Sequence, residues 1–355
     1  MKWFLRLVFT FILLLGWTIL GYMYIDFTLG APKRTKPIEV QISPGMKLED
    51  IGKLLKEKKL LRETYFFRYY AQYKKLTDLK AGVYEIEPDE ELGDMLRKFA
   101  TAEQNTIVIE VIPGNNARQI AYKLGQAGFD EEGFLQALTN KKPKYPFESE
   151  IKSNKARLFK LEGYLFPGVY EIPKNAKPEE IVNLMLDRFN QNMEELQVSE
   201  KLGKTPLGKK MTVDKWVTIA SLIIREGQVK EELPKISGVI YNRLNNPTND
   251  KLMLDATIVY MYSLQGKKIT KVPPGPGKLE HPYNAYNTYK NAGLPPGPIS
   301  NPSKEALEAA LNPEKHNYEY YVAKADGSGE HYFAATYEQH KKYINLSNIN
   351  QGNGQ

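Results

Sequence analysis

Residues 7–25, LVFTFILLLGWTILGYMYI, carry no charged side chain. At about 1.5 Å of rise per residue, a helix of that length nearly crosses a hydrocarbon layer of about 30 Å. Tyr22 and Tyr24 lie near its distal end, where interfacial rings are favoured, and Trp17 adds aromatic weight. The run reads as a single transmembrane helix. Residues 1–6 then form a short cytoplasmic amino end, and residues 26–37, with Gly30, Pro32 and Pro37, a juxtamembrane linker. A cleaved signal peptide is the alternative. The apolar stretch is long for one, and the small-residue exit Leu29-Gly30-Ala31 is followed by Pro32. Charge does not fix the orientation: Lys2 and Arg6 precede the span, and Lys33, Arg34 and Lys36 follow it.

The absence of cysteine removes disulfides, thiolate metal sites and a cysteine nucleophile from consideration. The four histidines show neither HExxH nor paired spacing, so no metal and no cofactor is expected. The net charge of +7 is spread along the chain rather than gathered in a block. That distribution argues against nucleic acid and fits scattered, solvated lysines.

After the linker comes an internal repeat. IEVQISPGMKLEDIGKLL starts at Ile38, and IVIEVIPGNNARQIAYKL starts at Ile107. Each copy predicts an alternating strand, a Pro-Gly turn and a helix with apolar residues at helical spacing. The unit resembles a LysM-like module, a small fold that binds N-acetylglucosamine polymers. A plain β-turn-α packing unit without ligand fits equally well. Residues 62–100 read as helical and then turn-rich. The segment 161–172, LEGYLFPGVYEI, ends in a strand-like run, and residues 178–198 read as a helix.

TVDKWVTIASLIIRE, residues 212–226, predicts a helix capped by Thr212 and stopped by Gly227. Val213, Trp216, Val217, Ala220, Ile223 and Ile224 fall on one face. Glu226 lies on the flank of that face and in the last turn. Partial burial and the negative end of the helix dipole both disfavour its ionised form, which predicts a raised pKa. A general acid working near neutral pH needs that property. An exposed helix-end glutamate paired with a lysine is the bland alternative. Further on, ISGVIYNRL at 236–244 reads as an amphipathic helix. HPYNAYNTYKNAGLPPGPISNPS at 281–303 reads as an irregular loop rich in rings and amides, side chains that suit sugar binding.

ASLIIRE at 220–226, VIYNRL at 239–244, LDATIVY at 254–260, YNTY at 286–289 and GLPPGPISNPS at 293–303 stand in the order of the endolytic murein transglycosylases, the YceG-like family, which the chain resembles. EGYLFPGVY at 162–170 and YYVAKADGSGEHYFAATYEQH at 320–340 fit the same pattern. The resemblance implies an α+β chain: a transmembrane helix, a LysM-like module over 38–104, a mixed α/β catalytic domain over 105–346 that begins with the second LysM-like unit, and a flexible tail from 347. It implies a single-pass protein of the bacterial inner (cytoplasmic) membrane with its catalytic part outside. It further implies cleavage of the MurNAc-GlcNAc bond within peptidoglycan strands, 1,6-anhydro ends, and contact with peptidoglycan synthases (penicillin-binding proteins). Glu226 matches the catalytic carboxyl. Asp255, Asn287, Tyr286, Glu162, Tyr289 and Asn242 are the expected substrate-binding residues, Asn287 as the holder of an N-acetyl group. The chain departs from the pattern at Ile224, Gly227 and Gly168. Two rivals stay open. One is a wall-binding scaffold without chemistry, and the other is a lysozyme-type hydrolase with Asp255 as its second carboxylate.

Overall fold

The computed structural model describes residues 2–101, 106–248, 250–269 and 272–353. The expected boundary at 104/105 lies outside them. The chain divides into two compact units, Met1–Ile107 and Val108–Gln355.

The first unit opens with α1 (Lys2–Leu29), a 28-residue helix. Its Val8–Leu29 stretch has a mean hydropathy of 1.9 and is the one helix among the described residues long and apolar enough to cross a membrane. The helix runs past the apolar stretch into the expected linker because its end is clamped. The Arg62 guanidinium donates to the Phe27 carbonyl at 2.9 Å and stacks on the Phe27 ring at 4.5 Å. Glu63 N–H donates to the Thr28 carbonyl, and Leu29 is buried in the unit's core.

Beyond it come β1 (Ile38–Ile42), α2 (Leu48–Glu57), α3 (Phe67–Tyr73), β2 (Gly82–Ile86) and α4 (Leu92–Ala100). β1 and β2 pair antiparallel, with Ile38 opposite Ile86 and Val40 opposite Tyr84. Period-two alternation turns Val40, Ile42, Tyr84 and Ile86 inward, onto Ile51, Leu55, Met95 and Phe99. Over 62–100, expected to be helical and then turn-rich, the structure also forms β2 and α4. The local signal for β2 is Val83 to Ile86, one residue shorter than the strand, whereas Leu92, Met95, Leu96 and Phe99 stand at helical spacing in α4.

The second unit contains β3 (Thr106–Val111), α5 (Ala117–Gln126), α6 (Glu131–Asn140), α7 (Pro146–Glu150), β4 (Gly168–Pro173), α8 (Pro178–Glu195), α9 (Val198–Lys201), α10 (Val213–Glu226), α11 (Leu233–Asn245), α12 (Asp255–Leu264), α13 (Lys304–Leu311), β5 (Tyr320–Ala323), β6 (His331–Ala334) and α14 (Tyr337–Asn353). β3 pairs with β4, and β5 with β6. Both repeat copies form the expected strand, turn and helix. Their turn glycines, Gly45 and Gly114, take φ +78° and +82°, a region open to glycine at little cost. The flexible tail expected from 347 is instead helical to Asn353, and the Asn350 amide donates to the Lys324 carbonyl at 2.7 Å.

α10 is the axis of this unit. It packs against α11, α12 and α13. All side chains from Trp216 to Ile223 are buried, so the helix is apolar nearly all round rather than on one face. Three helices surround it, which is why a single-stripe reading was too narrow. Trp216 Nε1 donates to the Leu307 carbonyl of α13 at 2.9 Å. Its ring continues a chain of contacts through Phe189, Tyr164, Phe147 and Tyr145.

Candidate active site

Both ends of α10 follow local chemistry. Thr212 Oγ1 accepts from Lys215 N–H at 3.2 Å and caps the start. Gly227 ends the helix in an extended conformation, φ −86° and ψ 125°. A Cβ there would meet Leu233 Cδ2 at 2.4 Å, so a side chain would have to push Leu233 aside, and no left-handed turn is involved. The close approach brings α11 directly under the end of α10 and leaves the Glu226 carboxyl half-buried.

Glu226 Oε2 accepts from Tyr321 O–H of β5 at 3.0 Å. Burial holds the Glu226 carboxyl above the ordinary glutamate range. The Tyr321 hydrogen bond opposes that shift, the neighbouring Asp255 charge adds to it, and His331 and the Ala256 backbone N–H pull it down. The direction and its largest cause, burial, agree with the sequence expectation, and the Asp255 charge is a contribution the sequence did not suggest. Asp255 is the first residue of α12, and it accepts from Tyr289 O–H at 2.6 Å. Burial, with Glu226 beside Tyr321 and Asp255 beside Tyr289, raises both phenols. Each therefore stays a hydroxyl donor to its carboxylate.

The β5–β6 hairpin is fixed in place from beneath. Tyr321 pairs with Phe333, and Ala323 with His331. The Glu232 carboxylate accepts from His331 N–H at 3.0 Å and lies 2.8 Å from its Nδ1. The His331 ring meets Tyr321 edge-on at 5.5 Å. Arg243 of α11 donates to the Glu319 carbonyl at 2.6 Å and lies over the Tyr320 ring. Glu232 and Arg243 thus set where Tyr321 meets Glu226. Among the described residues no group of three or more His, Asp or Glu side chains is arranged to hold a metal.

The YceG-like family matches residues 40–346. This chain belongs to that family. It is 31% identical over 349 residues to the endolytic murein transglycosylase of Streptococcus pneumoniae, covering 91% of this chain and 61% of that protein. The chain thus spans about three-fifths of that relative's length. It is also 31% identical over 327 residues to the endolytic murein transglycosylase of Bacillus subtilis, covering 88% and 86% of the two chains. A crystal structure titled a putative yceG-like protein, from Listeria monocytogenes, matches with a TM-score of 0.56 at 30% identity, over 87% of this chain and 99% of that one.

Of the residues singled out in this YceG-like sequence, Asp255 and Tyr289 stand beside Glu226. The others stand elsewhere. Asn287 is fully buried: its Oδ1 accepts from Tyr289 and Lys290 N–H, and its Nδ2 donates to the Pro276 carbonyl. Its amide is used up in shaping the loop that presents Tyr289. Tyr286 is fully buried against Tyr260 at 5.0 Å. Asn242 ties α11 to the approach of β5 through the His316 and Tyr318 carbonyls. Tyr321, His331 and Arg243 join the site without a sequence signal of their own: Tyr321 lies in the tail motif at 320–340, but no local feature tells that this second tyrosine meets a carboxyl 95 residues earlier.

Glu162 is fully buried, and both its oxygens accept from Ala117 N–H at 3.1 Å, at the start of α5. Tyr260 O–H and the Asn301 amide complete its shell. Burial nevertheless pushes its carboxyl from 4.5 up to about 7. A carboxyl raised on folding contributes stability below its unfolded pKa and loses it as pH climbs to the folded value. Thermal stability is therefore expected to fall between pH 4.5 and 7 by up to about 3 kcal/mol from this group. Glu162→Gln should flatten that slope; melting curves across this window check it, and an unchanged slope would exclude Glu162 as its source.

Proposed function

We propose that this chain is a membrane-anchored endolytic transglycosylase of peptidoglycan, cutting the MurNAc-GlcNAc bond within strands to leave 1,6-anhydro ends. The observation that carries the reading is the half-buried Glu226 carboxyl, raised by burial and held by Tyr321 O–H. The names of its Streptococcus and Bacillus relatives support it.

In this mechanism protonated Glu226 donates to the glycosidic oxygen, and the bond from that oxygen to C1 breaks. The oxocarbenium-like sugar is then attacked at C1 by its own C6 hydroxyl, whose proton passes to the Glu226 carboxylate. No water is consumed, and the carboxyl ends as it began. One group that is acid first and base second needs a pKa near the working pH. Tyr321 O–H stabilises the ionised form between the two steps. The LysM-like units would hold the strand, the apolar helix would keep the enzyme at the inner membrane, and contact with penicillin-binding proteins would let cleavage terminate growing strands.

Tyr321→Phe removes a hydrogen bond that favours the carboxylate, so the Glu226 pKa is expected to rise further. The alkaline limb of kcat/KM, where the proton is lost, should move to higher pH. A limb that stays in place or moves to lower pH would count against Tyr321 as a tuner of Glu226.

A second reading rests on Asp255. Two carboxyl groups flanking one bond are the equipment of a glycoside hydrolase, and Asp255 bears on Glu226 electrostatically. Digestion of purified peptidoglycan by the detergent-solubilised full chain, with fragments weighed by mass spectrometry, separates the two. Anhydro ends, one water lighter, support the transglycosylase; reducing ends overturn it in favour of the hydrolase.

A further inference from the structure

A groove of about 630 Å³ runs along α12, from Ala256 to Gly266, between that helix and the turn that starts α5. Its near end is Ala256, whose N–H faces Glu226. Ten helical residues carry it on the order of 15 Å from there. Its charge is one-sided: Arg118, Lys123, Arg225, Lys267 and Lys268 line it, against Glu131 alone among acids.

Among the described residues, four of these cations are not neutralised by a carboxylate of the fold, although Arg118 lies over the Phe159 ring at 5.6 Å. Lys123 donates to the Glu110 carbonyl. Among the described residues, Arg118, Arg225, Lys267 and Lys268 take part in no ion pair. Arg118 sits in the first turn of α5, where the helix dipole disfavours a cation. Its Nε is buried without a hydrogen-bond partner. Such a placement costs the helix stability, and an anion bound beside it would offset that cost. A concave surface of one sign also concentrates the opposite charge from solution.

We propose that this groove is a subsite for the carboxylates of the peptides carried by the glycan strand, so that strands bearing free peptide carboxylates are preferred over bare ones. The inference rests on the peptidoglycan reading above and deepens it. A strand stripped of its peptides keeps one lactyl carboxylate on each muramic acid, held close to the sugar ring, whereas the peptides add carboxylates further out, where five cations spread along a groove can meet them. The peptides branching from muramic acid bring carboxylates to within one groove length of the bond at Glu226. The second repeat acquires a role here: its turn, Gly114 to Asn116, and its helix α5 form one wall. Asn116 Nδ2 fastens that wall to α12 through Ser263 Oγ at 3.0 Å.

The test is binding by the full-length Glu226→Gln chain in detergent. Two glycan preparations of equal length are compared, one with its peptides and one stripped of them by an amidase. Peptide-bearing strands should bind about tenfold tighter, as charge-assisted contacts allow, and the preference should shrink with added salt. Lys267→Glu with Lys268→Glu, both exposed positions, should abolish the preference. Arg118→Glu, which the dipole at the start of α5 favours but which gives up the contact with the Phe159 ring, should do the same, with its melting curve showing that the fold is kept. Free peptide should compete with the peptide-bearing strand. Equal binding of both strands by the parent chain, or a preference that survives both charge reversals, overturns the proposal. Residual cleavage by Glu226→Gln would instead count against the catalytic reading, and the binding preference would still be read.

Discussion

Glu226→Gln is expected to lower strand cleavage by roughly 10²–10⁴-fold, the usual contribution of a positioned general acid or base, while leaving the fold intact. Glutamine has the shape of the carboxylic acid, and its carbonyl can still accept from Tyr321 O–H, which now meets Glu226 at 3.0 Å. The substitution removes the one proton that the leaving oxygen requires. It also removes a carboxyl that burial penalises, so the melting temperature should hold or rise. The companion change Asp255→Asn sharpens the result. A transglycosylase retains most of its rate when Asp255 is neutral, whereas a two-carboxylate hydrolase loses it. Rates of release of anhydro ends, with melting curves alongside, are the measurement. A folded Glu226→Gln protein cutting at the parent rate would remove Glu226 from the mechanism.

Why the place of Glu226 at the end of α10 could be read from sequence and its contact with Tyr321 could not is a matter of range. The limits of α10 are set within a few residues, by Thr212 at one end and Gly227 at the other. Helical periodicity then places Glu226 at its flank. Tyr321 reaches the same point through a hairpin held by Glu232 and Arg243, contacts that no local pattern encodes. The YNTY segment shows the opposite difficulty. Tyr286, Asn287 and Tyr289 are all plausible sugar ligands by type. Only the 3₁₀ turn at Asn284–Tyr286 decides that Tyr289 reaches Asp255 while its neighbours turn inward. Glu162 is a further case: sequence alone does not tell that its carboxyl meets the start of α5, which already has a cap of its own in Asn116. Glu162, Tyr286 and Asn287, each from a motif that resembles the family, are thus occupied in packing in this structure.

That packing is tightest at Gly163, and Gly163→Ala is expected to cost about 2–5 kcal/mol of stability. Gly163 takes φ +91°, and a Cβ there would lie 2.4 Å from Pro298 Cβ and 2.9 Å from Val217 Cγ1 of α10. Neither neighbour can yield easily. Val217 is fully buried in the central helix. Pro298 precedes Ile299 and Ser300, which are tied to Ser221 of α10 through its hydroxyl and carbonyl. On the other side Leu165 N–H donates to Asn301 Oδ1 at 2.8 Å, so the EGYLF and GPISN segments are locked across the point where the methyl would enter. Gly128→Ala is the control. It has a similar φ of +93° but nothing within 4 Å of the added carbon, so it carries only the backbone strain, about 1–2 kcal/mol. Denaturant unfolding of the two variants isolates the clash as their difference. Because Ile299 also lines the basic groove, Gly163→Ala should weaken strand binding as well as the fold. Equal losses for the two alanines would mean that Pro298 moves aside freely, and the lock between these two motifs would not exist.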